Sequence, residues 1–320
     1  MAVMLGYSAM CGVLTMRDAI DLLEQSFLHE AQGRTQVAPR THLDFENGSM
    51  RILVAADYQA GYCATKAYNS TPGLGPRYLV SLYRLKDGEL LALLDGKLIT
   101  DLRTGAASGV IARKVAIAGP VSVGIIGSGN QARTQLASLA AAYRVQRAAV
   151  YSPSLEHREE YAREMSAQLG FPVTAVDTAE AAARGCTVVV TATRSRTSEP
   201  VLRGAWLGEC RLLCAVGNTR KQFSEVDVRC FSDAGLVVVD AQHAYQDTGE
   251  LRAAGSAVAE AKRATLAQIV SGSVSVPNTG LVAFKSVGTA LQDLALAVRY
   301  YELLGSRAGV PSAPDLASLR

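Results

Sequence analysis

Apolar positions recur along this chain at two spacings, and the change from one to the other divides it. Over residues 16–31 (MRDAIDLLEQSFLHEA), Ala19, Leu22, Leu23 and Phe27 fall at the three- and four-residue intervals that place them on one face of an α-helix. From about Gln36 to Leu98 the pattern shortens to apolar runs of strand length parted by turn residues: RILVAA, RYLVSLYRL and ELLALLDG. Lys86-Asp87-Gly88 between two of these runs is a hairpin signal, because Asp-Gly accepts the backbone angles of a tight turn. This part predicts a small, mostly antiparallel sheet. Residues 100–118 (TDLRTGAASGVIARKVAIA) then read as a helix rich in small residues.

Beyond residue 120 strand-like and helix-like runs alternate. VSVGIIG (121–127) precedes a helix from Asn130, RAAVYS (147–152) a helix from about Glu156, and PVTAV (172–176) a helix from Asp177. TVVVTAT (187–193), RLLCAVG (211–217) and GLVVVDA (235–241) follow. Near-continuous Val, Ile and Ala runs are what a sheet buried on both faces requires, and the alternation means parallel βαβ units. Residues 281–304 read as one long amphipathic helix that packs back on the first part of the chain. The fold class is therefore α/β. Residues 119–285 form a doubly wound, Rossmann-type sheet, and residues 1–118 with 286–320 form a smaller α+β domain.

Composition narrows the functional classes. With 320 residues, 49% of them apolar and 19% charged, the chain buries a large core and has room for two domains. A net charge of +3 with no Lys/Arg run gives no reason to expect nucleic acid. Six cysteines occur without a CxxC pair, so neither a disulfide framework nor a metal site is expected. Cys210 and Cys214, in or beside an apolar run, read as buried thiols. No basic-led apolar leader and no apolar run of membrane-spanning length is present, so the expectation is a cytoplasmic protein.

The strongest chemical signal is Gly127-Ser128-Gly129-Asn130-Gln131-Ala132, which fits GxGxxG/A and lies between an apolar run and a helix. The first glycine permits the tight turn, the second lets backbone approach a pyrophosphate, and the small Ala132 allows helix and strand to pack closely. The helix start offers free N–H groups and a partial positive charge to phosphates. A site preferring NAD usually carries an acid at the end of the second strand, which here ends Tyr151-Ser152-Pro153-Ser154. Ser152, Ser154, His157 and Arg133 accommodate a 2′-phosphate instead, so NADP(H) is the expected cofactor, with NAD(H) as the alternative. Ordinary solvated loop polarity is the plainer reading of the same residues. In such sheets ligands bind outside the carboxyl ends of the strands. Thr191-Ala192-Thr193-Arg194-Ser195, Gly217-Asn218-Thr219-Arg220 and Asp240 fall there.

Together the motifs resemble the ornithine cyclodeaminase/mu-crystallin family along nearly the whole chain. The resemblance is carried by Ala38-Pro39-Arg40, Lys66 before Asn69-Ser70-Thr71-Pro72, Leu94-Asp95-Gly96, Thr100-Asp101-Leu102-Arg103-Thr104, GIIGSGNQA and VVTATRS (189–195). It continues through Ala215-Val216-Gly217-Asn218, Glu225-Val226-Asp227, and Phe284-Lys285-Ser286-Val287-Gly288 leading to Gln292-Asp293-Leu294-Ala295. It implies a homodimer whose first domain, completed by the C-terminal helix, supplies the dimer interface and the substrate pocket. It also implies that Arg40 and Arg103 hold a substrate carboxylate, which suits their planar forks. Lys66 would touch the same carboxylate or transfer a proton, with a pKa depressed by its cationic neighbours. Val287 and Gly288 would approach the nicotinamide; apart from the resemblance, the hydroxyl residues Thr191 and Thr193 after the fourth strand suit a neighbour of the nicotinamide ribose.

The chain departs from ornithine cyclodeaminase proper at three places. The aspartate that engages the ornithine amine is replaced by Asn218, which forms hydrogen bonds but accepts no proton. The stretch from Met50 to Ala56 before Lys66 carries no acid, and the acid at the end of the second strand is missing. A neutral residue at 218 is similar to the family's ketimine reductases. The expected activity is therefore reduction of a small, cyclic or open imino acid to an amino acid. Cyclodeamination of ornithine to proline and ammonia with NAD is the alternative, and a non-catalytic NADP-binding role is the second.

Overall fold

The computed structural model describes residues 2–71, 73–195 and 197–306, and the chain divides into two compact units: Met1–Arg103 with Thr289–Arg320, and Thr104–Gly288. The first unit begins with β1 (Val3–Leu5), α1 (Tyr7–Met10) and α2 (Met16–Ala31). Thr15 caps α2 reciprocally with Asp18, and Ala19, Ile20, Leu23 and Phe27 form its buried stripe. The strands β2 (Thr35–Val37), β3 (Thr41–Phe45), β4 (Gly48–Asp57), β5 (Tyr62–Thr71), β6 (Gly75–Arg84) and β7 (Leu90–Asp95) follow. They form a sheet in the order β1-β7-β6-β5-β4-β2, with β3 also paired to β4. Only β1, beside β7, runs parallel to its neighbour.

The two faces of this sheet differ. Leu53 lies opposite Lys66, and Lys66 opposite Val80. That face, with Ala55, Ala64 and Leu82, is buried beneath the C-terminal helix Ala290–Leu304, which also packs on α2. On the other face Leu43, Phe45, Met50, Ile52, Val54 and Leu79 are each between 36% and 62% exposed. The helix α3 (Gly96–Lys114) begins four residues earlier than the sequence reading. Asp95 accepts hydrogen bonds from the N–H groups of Lys97 and Leu98, satisfying two donors of the first turn.

The second unit holds β8 (Val121–Ile126), α4 (Asn130–Ala142), β9 (Val145–Tyr151), α5 (Leu155–Leu169), β10 (Val173–Ala175), α6 (Ala179–Ala183), β11 (Val188–Thr191) and β12 (Leu212–Ala215). It continues with α7 (Arg229–Ser232), β13 (Leu236–Val239), α8 (Ala244–Asp247), α9 (Gly249–Ala254), β14 (Arg263–Thr265), α10 (Leu266–Val270) and β15 (Val282–Lys285). All eight strands are parallel, in the order β10-β9-β8-β11-β12-β15-β13-β14. Every residue of β11, β12, β13 and β15 is buried, which explains their unbroken apolar runs. The order turns back at β8, the switch point at which such sheets form their crevice.

One expected element is corrected. Residues 281–304 are not a single helix: Val282–Lys285 is a strand inserted between β12 and β13, and the helix starts only at Ala290. A short apolar run buried on every side carries no periodicity to distinguish strand from helix. Among the described residues no helix is long and apolar enough to cross a membrane. Cys186, Cys210, Cys214 and Cys230 are buried free thiols, and burial pushes all four up.

Candidate active site

Because the strands of the second unit are all parallel, their carboxyl ends share one edge, and the glycine turn lies at its centre. Gly127 has φ +115°, and a Cβ there would stand 2.4 Å from the carbonyl oxygen of Ala192. No L side chain fits that position. Gly129 is the N-cap of α4 without a side-chain cap, and a Cβ built on it meets nothing within 4 Å. Asn130 and Gln131 open the helix, and Ala132 is fully buried against the sheet, its carbonyl accepting from Tyr161. An open, uncapped start of a 13-residue helix beside a glycine turn fits the pyrophosphate of a dinucleotide.

At the end of β9, Ser152 is buried, accepting from the Ser128 hydroxyl at 3.0 Å and donating to the Ser154 carbonyl at 3.2 Å. Ser154 caps α5 by accepting from the His157 N–H. Arg133 binds Glu164 at 2.6 Å and the Ser128 carbonyl at 2.6 Å. Arg158 reaches the Ser152 carbonyl at 3.1 Å and Asp177 at 2.5 Å. Two guanidinium groups therefore flank this strand end, each already holding a carboxylate.

Further along the edge, buried carboxylates organise the loops. Glu225, with no exposure, accepts from Thr191 Oγ1 (2.9 Å), Thr193 N (2.6 Å), Thr193 Oγ1 (2.7 Å) and Gly217 N (2.9 Å). Thr191 is wholly buried, and both threonine hydroxyls turn toward this carboxylate. A Cβ on Gly217 would lie 2.1 Å from Glu225 Oε1, so glycine is what lets the loop close on the acid. Asp240 accepts from Ser286 Oγ (2.7 Å), Val287 N (2.9 Å) and Gly288 N (2.8 Å), fixing the loop after β15. Asn218 Oδ1 accepts from Arg220 N at 2.9 Å, and its amide nitrogen faces Glu250 Oε2 at 2.6 Å and the Phe223 carbonyl at 2.5 Å. Glu250 pairs in turn with Lys285 at 2.9 Å, both side chains fully buried.

The first unit gathers the predicted cations. Lys66, on the covered face of β5, places Nζ 2.5 Å from Asp293 Oδ2 and 3.4 Å from Thr100 Oγ1. Arg103, on α3, donates from Nε to Asp293 Oδ1 (3.3 Å) and from Nη1 to Gln292 Oε1 (3.2 Å). Burial, chiefly, lowers the Lys66 ammonium to about 8. Asp293 opposes that fall, while Arg103 and Arg40, the residue just before β3, add to it. Next to Lys66 on this face, Tyr68 and Tyr78 stack with centroids 4.9 Å apart, and Lys66 Nζ lies 6.0 and 5.8 Å from them. Burial pushes the Tyr78 hydroxyl up to about 12. Arg51, opposite Tyr68, donates to its hydroxyl at 3.3 Å. The sequence reading singled out Arg40, Lys66 and Arg103 but gave no role to Asp293, Tyr68, Tyr78 or Arg51. The two-residue spacing of Lys66 and Tyr68 was the available signal, but β5 is too polar to be recognised as a strand.

The family model for the ornithine cyclodeaminase/mu-crystallin family matches residues 2–307. An alanine dehydrogenase of Archaeoglobus fulgidus is 31% identical over 304 residues, covering 91% of each chain. Among solved structures, the Δ1-pyrroline-2-carboxylate reductase of Thermococcus litoralis, in complex with NADH and L-proline, superposes with a TM-score of 0.88 at 30% identity. That match covers 94% of this chain and 96% of the other. An archaeal alanine dehydrogenase dimer with bound NAD gives 0.85 at 28% identity, covering 94% and 95%.

Proposed function

The chain belongs to the ornithine cyclodeaminase/mu-crystallin family, and from that premise we propose that it is an NAD(P)(H)-dependent oxidoreductase that reduces a small imino acid, cyclic or open, to the amino acid. The observation that carries this reading is the buried cluster of Lys66, Arg103 and Asp293 with Arg40 close by. It offers a carboxylate more positive charge than the one acid neutralises. Arg40 and Arg103 are assigned to the substrate carboxylate and Lys66 to the proton that the nitrogen gains. A reduced nicotinamide, when bound, supplies the hydride for the carbon of the C=N bond. The dinucleotide is assigned to the edge of the second unit, with Gly127, Gly129, Asn130, Gln131 and Ala132 at the pyrophosphate and Val287 and Gly288 at the nicotinamide.

The finer cofactor reading is a preference for NADP(H). It is supported by the absence of an acid after Tyr151 and by the two guanidinium groups there, whose exposed carboxylate partners bind weakly enough for a 2′-phosphate to replace. A homodimer is supported by the exposed apolar face of the first unit's sheet. Ornithine cyclodeamination is disfavoured because the Asn218 amide is spent on its own loop and on Glu250. The deciding experiment follows NADPH and NADH oxidation with pyrroline-2-carboxylate and piperideine-2-carboxylate, beside an ammonia assay with ornithine and NAD. Oxidation with either imine and no ammonia is expected. No oxidation across cyclic ketimines and 2-oxo acids with amines would remove the reductase reading. Ammonia with proline would install the cyclodeaminase.

A further inference from the structure

Asp293 lies in the first turns of the C-terminal helix, where a carboxylate commonly accepts backbone N–H groups. It does not do so: among the described residues its oxygens meet Lys66 Nζ at 2.5 Å and Arg103 Nε at 3.3 Å. The side chain is 1% exposed, and Lys66 is 2% exposed. An unpaired carboxylate or ammonium buried to this degree is strongly disfavoured, so each group is held there by the other. The groups facing Lys66 come from every element around it: Asp293 from the C-terminal helix, Arg103 and Thr100 from α3, Tyr68 from β5 and Tyr78 from β6. Arg40 contributes from just before β3, and the Asp101 charge acts on Tyr78. Among the described residues Asp293 is the one carboxylate in contact with the ammonium; the neighbouring guanidinium groups and burial all favour the neutral form of Lys66.

We propose that Asp293 is the positioning residue that keeps Lys66 charged and aimed as the proton donor, and that fixes the Nε edge of Arg103 so that Nη2 is left for the substrate carboxylate. The proposal rests on the reading of Lys66 as the group that moves the substrate proton. In the reductive direction the C=N carbon takes a hydride, the nitrogen takes a proton from the Lys66 ammonium, and water returns a proton to the lysine afterwards. Asp293 remains a carboxylate throughout. In the oxidative direction Lys66 starts neutral and takes the proton back.

The pH profile separates the proposal from a merely structural role. In Asp293→Asn the reductive kcat/KM at pH 7 falls about 100-fold, the scale of losing a positioned acid, and its alkaline limb moves down by about one pH unit. The limb of the oxidative profile moves down by the same amount, and at any one pH the two directions lose kcat/KM by the same factor, because the variant leaves the reaction equilibrium unchanged. A loss of activity with unmoved limbs would overturn the proposal. The second measurement needs no turnover: with [ε-13C]lysine, assigned through Lys66→Arg, the NMR midpoint of Lys66 drops in Asp293→Asn and is retained in Asp293→Glu. An unchanged midpoint in Asp293→Asn sinks the proposal even if imine reduction is established. A lowered midpoint in a protein that reduces no imine upholds Asp293 and removes the function instead. If Asp293→Asn fails to fold, Asp293→Ala in added formate answers the same question: formate must restore both the Lys66 midpoint and the alkaline limb, and its failure to do so counts against the proposal.

Discussion

Replacing Glu225 by glutamine keeps the shape of the side chain and removes its charge, and the structure says what that costs. Oε1 accepts from the N–H and hydroxyl of Thr193, Oε2 from the hydroxyl of Thr191 and the N–H of Gly217. A hydroxyl can turn and become an acceptor, but a backbone N–H cannot. Whichever way the new amide is oriented, its nitrogen faces one N–H, Gly217 at 2.9 Å or Thr193 at 2.6 Å. One buried donor is therefore orphaned, at about 1–3 kcal/mol, and the surviving bond loses its charge assistance. A loss of about 2–3 kcal/mol lowers Tm by roughly 4–10 °C in a protein of this size. The loops holding Thr193 and Gly217 loosen together, so dinucleotide affinity falls about tenfold, equivalent to about 1.4 kcal/mol. Thermal unfolding by circular dichroism and a fluorescence titration of NADPH and NADH measure both. Glu225→Leu strands both N–H groups and should cost about twice as much. The reasoning is refuted if Glu225→Gln melts within a degree of the parent, or if the leucine variant is no worse than the glutamine.

Ile52 sits on the exposed apolar face of the first unit's sheet, so Ile52→Asp buries an unpaired carboxylate in any homodimer formed there. At about 3–5 kcal/mol the dimer weakens roughly 100- to 4000-fold, and light scattering should find monomer; an intact dimer would place the interface elsewhere. Lys66 titrates near 8 when folded and near 10.5 unfolded, so between these values the unfolded chain binds more protons and stability must rise with pH. The lysine's cost, on the order of 3 kcal/mol, is full below pH 8 and gone above 10.5. Denaturation midpoints of the parent relative to Lys66→Met should therefore climb between pH 7 and 10, and a flat difference would contradict the burial argument. Arg133→Ala combined with Arg158→Ala should weaken NADPH about tenfold or more and NADH by under threefold. Equal losses in the two titrations would dismiss the 2′-phosphate reading.

The second unit was largely legible in the sequence because its strands are buried on both faces and its turns are punctuated by glycine. VSVGIIG before GSGNQA forced a strand, a tight turn and a helix, and the structure has them at Val121–Ile126 and from Asn130. β15 was not legible, because VAFK is buried on all sides and a true helix follows from Ala290. The first unit's central strand was hidden differently. In YCATKAYNST the covered face carries Ala64, Lys66 and Tyr68, so where an apolar stripe would mark a strand the chain has a lysine and a tyrosine of the site. Of the site itself, the cations stood out through family motifs. Their common acid did not, since Asp293 lies 190 positions from Arg103 and only the fold joins them. Glu250 was silent for the same reason: its partners Asn218 and Lys285 come from the loop after β12 and from the end of β15.

The buried acids also give the edge of the second unit an electrical direction. At β8 the open start of α4 presents N–H groups and the positive end of a helix dipole. At β11 and β12 Glu225 is surrounded by four donors and, among the described residues, has no ion-pair partner, so its charge is stabilised but not cancelled. Glu250, by contrast, is neutralised by Lys285. A ligand laid along this edge with its anionic part at β8 and a positive part toward β11 matches both ends. The oxidised nicotinamide dinucleotide has that pattern, while the reduced one has a neutral ring. Glu225 should therefore favour the oxidised form, and Glu225→Gln should weaken NAD(P)+ more than NAD(P)H, by about threefold to tenfold beyond the common loss. Calorimetric titrations of both oxidation states against parent and variant give that ratio directly. A ratio that does not change would mean that Glu225 only braces its loops and that the sign of its charge has no part in how the ligand lies.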